Sequence, residues 1–103
     1  MEEREFNLLA DAMLARIEAA LDASELDFEI KPGGVIEIEF DDGSKIIVNR
    51  HTAAREIWLA ARSGGYHFKP DADRWVSARD GGELMAVLSR CVSEQAGATV
   101  RLS

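Results

Sequence analysis

The stretch VIEIEFDDGSKIIVN, residues 35–49, decides the fold class of this chain. Side chains alternate along its first six residues with the period of a strand that has one buried face. The residues on that face are Ile36, Ile38 and Phe40. Asp42-Gly43 is a strong signal for a two-residue hairpin turn, and the returning segment Lys45–Asn49 is rich in β-branched residues. The stretch therefore predicts an antiparallel hairpin.

More strands are predicted on both sides of this hairpin. Short segments with a period of two are separated by turns rich in Gly, Pro, Asp and Ser, at Pro32–Gly34, Ser63–Gly65 and Pro70–Asp73. The strands themselves are Leu26–Lys31, Glu56–Ala61, Tyr66–Lys69 and Arg74–Ala78. Tight turns join antiparallel neighbours. Within Glu56–Ala61, alternation turns Ile57 and Leu59 inwards and Trp58 outwards.

One helix is predicted before the strands and one after them, because apolar residues recur there at spacings of three and four. The first set is Phe6, Leu9, Ala10, Met13, Ile17, Ala20 and Leu21, and the second is Leu84, Val87, Leu88, Cys91 and Val92. The first pattern fades after Asp22. Asp80, with Glu83 three residues later, predicts a capping box at the start of the second helix. Gly97 is placed to end it.

This order of elements predicts an α+β fold. We expect a two-layer sandwich in which two helices pack on one face of a mostly antiparallel sheet of six or seven strands. The length of 103 residues predicts a single domain over residues 1–103. The second face of the sheet should meet solvent. The residues expected on it are Glu37, Glu39, Asn49 and Trp58.

Charge is distributed unevenly along the chain, whose net charge is −7. Residues 1–42 carry thirteen acidic and three basic side chains, which leaves −10, and residues 43–103 carry nine basic and six acidic ones, which leaves +3. A strongly acidic pole attracts cations and basic protein surfaces. It argues against a nucleic-acid partner, because the phosphate backbone would be repelled.

Composition also indicates the compartment. No segment approaches the roughly 20 apolar residues of a membrane span, so we expect no membrane association. The charged residues 1–5 lack the apolar core of a secretory signal. Cys91 is the only cysteine, which rules out an intrachain disulfide. These features predict a soluble protein of a reducing compartment, the cytoplasm.

Several local strings resemble the frataxin family in its bacterial, CyaY-type branch. They are EF and LAD within residues 5–11, GSKIIVNR at 43–50, IWLA at 57–60, GGYHF at 64–68, RWV at 74–76 and QAGATV at 95–100. The resemblance runs nearly end to end, and its specific part is the segment from Asp42 to Phe68. An acidic first helix, a meandering sheet and a second helix are also the architecture of that family.

The resemblance implies a role in iron–sulfur cluster assembly. Family members bind ferrous or ferric iron through the acidic ridge of the first helix and first strand. They engage the cysteine desulfurase and its scaffold protein, and the bacterial branch is regarded as an iron-responsive modulator. Ferroxidase and iron-storage activities have also been proposed for the family, so an enzyme or an iron store is the alternative. We expect a monomer, with an iron-dependent oligomer as the alternative.

The candidate metal ligands form an acidic ridge: Asp11, Glu18, Asp22 and Glu25, extended by Asp27 and Glu29 on the first strand. Spacings of seven, four and three place the first four on one helix face. Oxygen ligands suit hard cations such as iron, and an exposed convex surface predicts weak binding. Ala19 and Ala23 stand where related ridges often carry acids. Glu18 and Asp22 are also candidates for partner binding. The alternative is a solvated helix face that aids solubility.

The candidate partner surface on the sheet centres on Trp58, an outward aromatic of the kind that anchors interfaces. The resemblance implies that this Trp contacts the cluster scaffold. Asn49 and Arg50 are expected to share the surface, with Arg55 and Arg62 as a basic edge. The alternative for Trp58 is packing against neighbouring outward side chains.

The remaining candidates have structural explanations. Trp75 and Cys91 are expected in the core, and Cys91 has no basic neighbour in sequence that would make it a nucleophile. His51 and His67 have no partner in sequence and no metal-ligand spacing. A weak surface ligand is the alternative for His67.

Overall fold

Two helices lie on one face of a six-stranded antiparallel sheet in a computed structural model that describes residues 1–103. The elements are α1 (Glu3–Ala23), β1 (Phe28–Lys31), β2 (Val35–Glu39), β3 (Lys45–His51), a 3-10 turn (Thr52–Ala54), β4 (Glu56–Ala61), β5 (Gly64–Asp71), β6 (Arg74–Ser77) and α2 (Leu84–Ala96). The strands follow one another in space in their sequence order. The predicted fold class is confirmed, with six strands. Neither helix is long and apolar enough to cross a membrane.

The sheet register confirms the predicted alternation. Ile36 pairs with Val48 and Val48 with Leu59, so these buried side chains share the face under the helices. The hairpin turn is one residue longer than predicted. The Phe40 N–H donates to the Ser44 carbonyl at 2.9 Å, which leaves three residues in the turn. Gly43 closes it at φ +85°, the left-handed conformation that a three-residue hairpin requires at its last position.

Two strands are longer than the sequence predicted. β3 continues past Asn49 to His51, and His51 pairs with Glu56. β5 begins at Gly64, which pairs with Ala61, so the turn falls earlier than the glycines suggested. The glycines predict a turn at this point, but strand pairing with the neighbouring β4 extends through them. The added length of β3 places a histidine beside Trp58.

The core is one cluster of 23 buried apolar residues between the helices and the sheet. Phe6 of α1 meets Trp75 of β6 edge to face, with ring centroids 5.9 Å apart. Trp75 and Cys91 are buried, as predicted. Leu9 is 37% exposed, although the pattern predicts it in the buried stripe, and Leu14 is buried in addition to the predicted set. The stripe of α1 is therefore rotated slightly from the sequence prediction.

The start of α2 differs from the predicted capping box. Glu83 is the N-cap, and its carboxylate accepts hydrogen bonds from the backbone N–H groups of Met85 and Ala86 at 3.0 and 3.3 Å. Asp80 instead accepts from the Gly82 N–H in the preceding loop. Gly97 ends the helix at φ +72°, as predicted.

The C-terminal tail is attached along α2 by two serine hydroxyls. Ser93 Oγ accepts from the Val100 N–H at 2.9 Å and donates to its carbonyl at 3.0 Å. Ser89 Oγ makes the same pair of contacts with Leu102. Leu102 is thereby held in the core, where it is 4% exposed.

Candidate functional site

Arg50 links β3 to α1 on the helix side of the sheet. It pairs with Ile57 in the register, so its side chain lies on the opposite face from Trp58. Its guanidinium donates to Asn7 Oδ1 at 3.3 Å and forms an ion pair with Asp11. The expectation that Arg50 shares the Trp58 surface is therefore wrong, since consecutive strand residues point to opposite faces. Asp11 is placed in the ridge, but its charge is balanced within the fold.

Glu18 and Asp22 are exposed on α1, as the helical spacing predicted. They line a shallow depression together with Ala15, Ala19 and Phe28. Neither carboxylate takes part in an ion pair. These two side chains are therefore free to attract a cation or a basic surface.

Glu25 and Asp27 belong to a second acidic group, beyond the end of the helix. α1 ends at Ala23, and Glu25 has φ +58°, so the helix face predicted to include it stops at Asp22. β1 begins at Phe28, which places Asp27 just before the strand. The carbonyl of Asp27 accepts a hydrogen bond from the Glu39 N–H at 3.0 Å.

These two residues border a depression that the hairpin turn completes. We name its carboxylates the acidic rim: Glu25, Asp27, Glu39, Asp41 and Asp42. All five belong to the acidic pole of residues 1–42, but the sequence pattern does not show that they lie together. The strand pairing of β1 with β2 is the signal that could have joined them, because it places the end of β2 beside the start of β1.

Asp42 is the one member of the acidic rim with a basic partner. Its Oδ1 accepts from the Ser44 hydroxyl at 2.6 Å and from the Ser44 N–H at 2.9 Å, and its Oδ2 pairs with Arg62. The hydroxyl, then the backbone N–H, and then Arg62 lower the pKa of this carboxyl to about 2. Arg62 is therefore bound at the hairpin and not beside Trp58.

Glu29 lies on the other face of the sheet from the helices. It pairs with Glu37 in the register, and it forms an ion pair with Lys31 at 3.0 Å, which raises the pKa of that lysine. Glu37 pairs with Lys45 at 2.9 Å, and the hydrogen bond lowers the pKa of Glu37. Glu29 is thus separated from Glu18 and Asp22 by the thickness of the sheet.

The donor set fits a loosely held cation. All the candidate ligands are carboxylates, but no group of three or more His, Cys, Asp or Glu side chains is placed to hold a metal ion. Hard cations bind such surfaces through one or two carboxylates, with water completing the coordination. A hard cation at Glu18 and Asp22 or along the acidic rim would therefore have no fixed cage of protein ligands.

Trp58 lies on the outward face of the sheet, as predicted, but it is not freely exposed. It is half-buried between His51 and His67, whose rings stack against it. Its Nε1–H donates to Glu56 Oε1 at 2.8 Å. Asn49 is its direct neighbour on β3, as expected. The indole packs against its outward neighbours, as the alternative predicts, and its contact with a partner stays a prediction.

His51 and His67 were missed as partners of Trp58 because they are distant in sequence. Only the register of three strands brings the rings together. Arg55 does not form the expected basic edge, since its guanidinium donates to the carbonyls of Met1 and Thr52. The surface around Trp58 is therefore aromatic, with Glu56 as its nearest charge.

The fold and the site define a class of small protein, an open α+β sandwich with an acidic first helix. The family model for the frataxin-like domain matches residues 1–98. The chain belongs to the frataxin family.

Similar proteins span the same length as this chain. An iron–sulfur cluster assembly protein CyaY from Dechloromonas aromatica is 58% identical over 104 residues, covering 99% of both chains. One from Cupriavidus taiwanensis is 51% identical over 105 residues, covering 97% of this chain and 95% of the other.

Solved structures agree with this assignment. A frataxin from Psychromonas ingrahamii superposes with a TM-score of 0.88 at 30% identity, covering 100% of this chain and 99% of that one. A trimeric frataxin from the yeast Saccharomyces cerevisiae, complexed with ferrous iron, gives 0.65 at 27% identity, with 94% and 88% covered.

Proposed function

We propose that this chain acts in iron–sulfur cluster assembly as a single frataxin-like domain in the cytoplasm. In this role it binds iron weakly through its acidic surface and docks on the cysteine desulfurase and its scaffold protein. The observation that carries the proposal is the free carboxylate pair Glu18 and Asp22, continued by the acidic rim, in a family whose relatives are named for cluster assembly.

Iron binding is supported by the chemistry of the surface. Exposed carboxylates about 6 Å apart repel one another by roughly 0.7 kcal/mol in water, and a hard cation relieves that repulsion. The proposed ligands are Asp11, Glu18, Asp22, Glu25, Asp27 and Glu29. Among these, Glu18, Asp22, Glu25 and Asp27 have no ion-pair partner, so we place the iron there. The yeast relative complexed with ferrous iron supports the choice of metal.

Docking on the desulfurase is supported by the charge distribution. The pole of −10 over residues 1–42 is complementary to a basic protein surface. Exposed charge pairs are screened by salt, so affinity should fall as ionic strength rises. Trp58 and its neighbour Asn49 are the proposed contact with the scaffold, on the opposite face of the sheet from Glu18 and Asp22.

The test is a triple variant, Glu18→Gln, Asp22→Asn and Glu25→Gln. Exposed ion pairs contribute about 0.2–1 kcal/mol each, so desulfurase affinity should fall by roughly three- to a hundredfold. The matched control removes three other exposed carboxylates, through Asp71→Asn, Asp73→Asn and Glu94→Gln. It makes the same change in net charge and should bind like wild type. Equal affinity of both variants in calorimetry would sink the proposal.

Mixing the protein with ferrous iron and oxygen tests the alternative function, a ferroxidase or an iron store. A binding accessory leaves the rate of iron oxidation as it is in buffer, and the protein stays monomeric in light scattering. Faster oxidation by wild type than by the triple variant would replace the proposal with a ferroxidase. That result is not expected, because no three side chains converge on a metal position.

A further inference from the structure

The indole of Trp58 is held on three sides by side chains of the sheet to which Trp58 belongs. His51 stacks on one face, with ring centroids 4.1 Å apart and planes within 4° of parallel. His67 stacks on the other face at 4.5 Å and 8°. Glu56 holds the indole Nε1–H. We propose that His51, Glu56 and His67 form a clamp that positions Trp58 for the scaffold, an inference that rests on the proposed function.

The sheet register explains how the clamp is built. Trp58 on β4 lies directly opposite His67 on β5. On the other side it lies opposite Asn49, so His51 is its diagonal neighbour on β3. Aromatic side chains reach across such diagonals. Glu56 lies two residues before Trp58 and therefore on the same face of the strand.

His51 acts in this clamp as an aromatic ring and not as a hydrogen-bonding group. Its Nδ1 is buried and has no hydrogen-bond partner. Leaving a buried polar atom without a partner is unfavourable, so the position of the ring needs another source of stability. Stacking on the indole provides one. It follows that phenylalanine should replace His51 in this role.

Glu56 joins the clamp members to one another. Oε1, which accepts from Trp58, also lies 3.5 Å from His67 Nδ1, and Oε2 lies 3.7 Å from Lys69 Nζ. The carboxylate side chain is 14% exposed, whereas the side chain of His67 is 55% exposed. Glu56 is thus fixed by its own contacts and can fix the orientation of the indole.

The clamp determines which part of Trp58 a partner can touch. Both ring faces and the N–H are already occupied, so the free part is the outer edge of the indole. A side chain that is ordered before binding need not be immobilised during it, and this ordering contributes to affinity. The proposed partner therefore offers an apolar slot that receives the ring edge, and not a flat group that stacks on it.

The first measurement concerns the free protein. The chain has two tryptophans, Trp58 and Trp75, and their indole N–H signals are assigned with Trp58→Phe. His51→Ala and Glu56→Ala should lower the ¹⁵N heteronuclear NOE of the Trp58 indole, and His51→Phe and Glu56→Gln should restore it. The Trp75 signal, from the core, reports whether each variant stays folded. A Trp58 indole that is equally ordered in both alanine variants would overturn the clamp.

The second measurement is the affinity for the purified scaffold by calorimetry. His51→Ala should weaken binding by roughly two- to tenfold, the effect of immobilising one side chain on association, and His51→Phe should recover it. A mobile indole with unchanged affinity would overturn the positioning role. Full affinity of Trp58→Ala would overturn the scaffold contact itself, and the NOE result would then show that the clamp only orders the sheet face.

Discussion

At Asp42 a single carboxylate closes the β2–β3 turn and pairs with a side chain from the β4–β5 turn. Ser44 supplies two of its hydrogen bonds, and Arg62 lies within ion-pair distance. Each of these contacts favours the ionised carboxylate, which is why its pKa falls to about 2 from 3.8. A residue that looks like a simple turn former thus links folding to pH.

Stability should depend on Asp42 between about pH 4 and pH 2. A lowered folded-state pKa contributes stability that is present above the unfolded-state value and is lost as the pH falls through the folded one. Asp42→Asn keeps an acceptor for Ser44 but lacks the charge, so the variant should be less stable than wild type at pH 6 and should approach it near pH 2. Urea unfolding of both proteins across this range measures the difference. A difference that does not change with pH would contradict the prediction.

Arg50 and His51 show what sequence could establish at this scale. Alternation placed Trp58 on the outward face correctly, and the same rule, applied to Arg50, would have placed it towards α1. The stacking of His51 and His67 on Trp58 could not be derived, because it depends on the register of three strands and on the length of β3. Pairwise register is a tertiary property that a single strand pattern does not contain.

At the scale of elements, α2 shows how a cap can be misassigned. Asp80 and Glu83 have the spacing of a capping box, but the helix begins three residues later than that motif requires. A bridge between Val76 and Glu83 keeps the loop extended up to Glu83. Tertiary pairing therefore overrides the local signal at the start of α2, whereas the helix ends at Gly97 as the glycine predicts.

Replacing Glu83, the observed N-cap, tests directly how the start of α2 is stabilised. Glu83→Ala removes the acceptor of two backbone N–H groups and should lower the free energy of unfolding by about 1 kcal/mol, the usual value of an N-cap. Asp80→Ala removes one exposed turn contact and should cost less. Urea denaturation with equal m-values gives both numbers. If Asp80→Ala were the more damaging change, the capping box predicted from sequence would be the better description.

At the scale of the whole molecule, the acidic pole is divided between surfaces. Asp11 is paired with Arg50, Glu29 lies behind the sheet with Lys31, and Glu18, Asp22 and the acidic rim remain on the helix side and the hairpin end. The sequence predicted the sign and size of the pole because composition sets them. It could not predict which acids are free, because basic partners such as Arg50 and Arg62 lie far from Asp11 and Asp42 in sequence.

The unpaired acids should make the fold sensitive to cations. Millimolar Mg²⁺ should raise the melting temperature more than NaCl at the same ionic strength, because a divalent ion that binds the native surface stabilises it by mass action, whereas salt only screens repulsion. The triple variant at Glu18, Asp22 and Glu25 should show a smaller rise, and the Asp71, Asp73 and Glu94 control should respond like wild type. Identical curves with and without Mg²⁺ would show that these acids are not under repulsion.

The serine contacts of the tail also constrain how the chain is made in the cell. Leu102 lies in the core, and Ser89 and Ser93 bind the tail along α2. On a translating ribosome α2 and the tail are made after the six strands, because synthesis runs from the N-terminus. The sheet can therefore pair during synthesis, since each strand neighbours the one before it, but α2 and Leu102 can cover its helix-facing surface only later. During that interval the half-finished protein exposes apolar residues to chaperones.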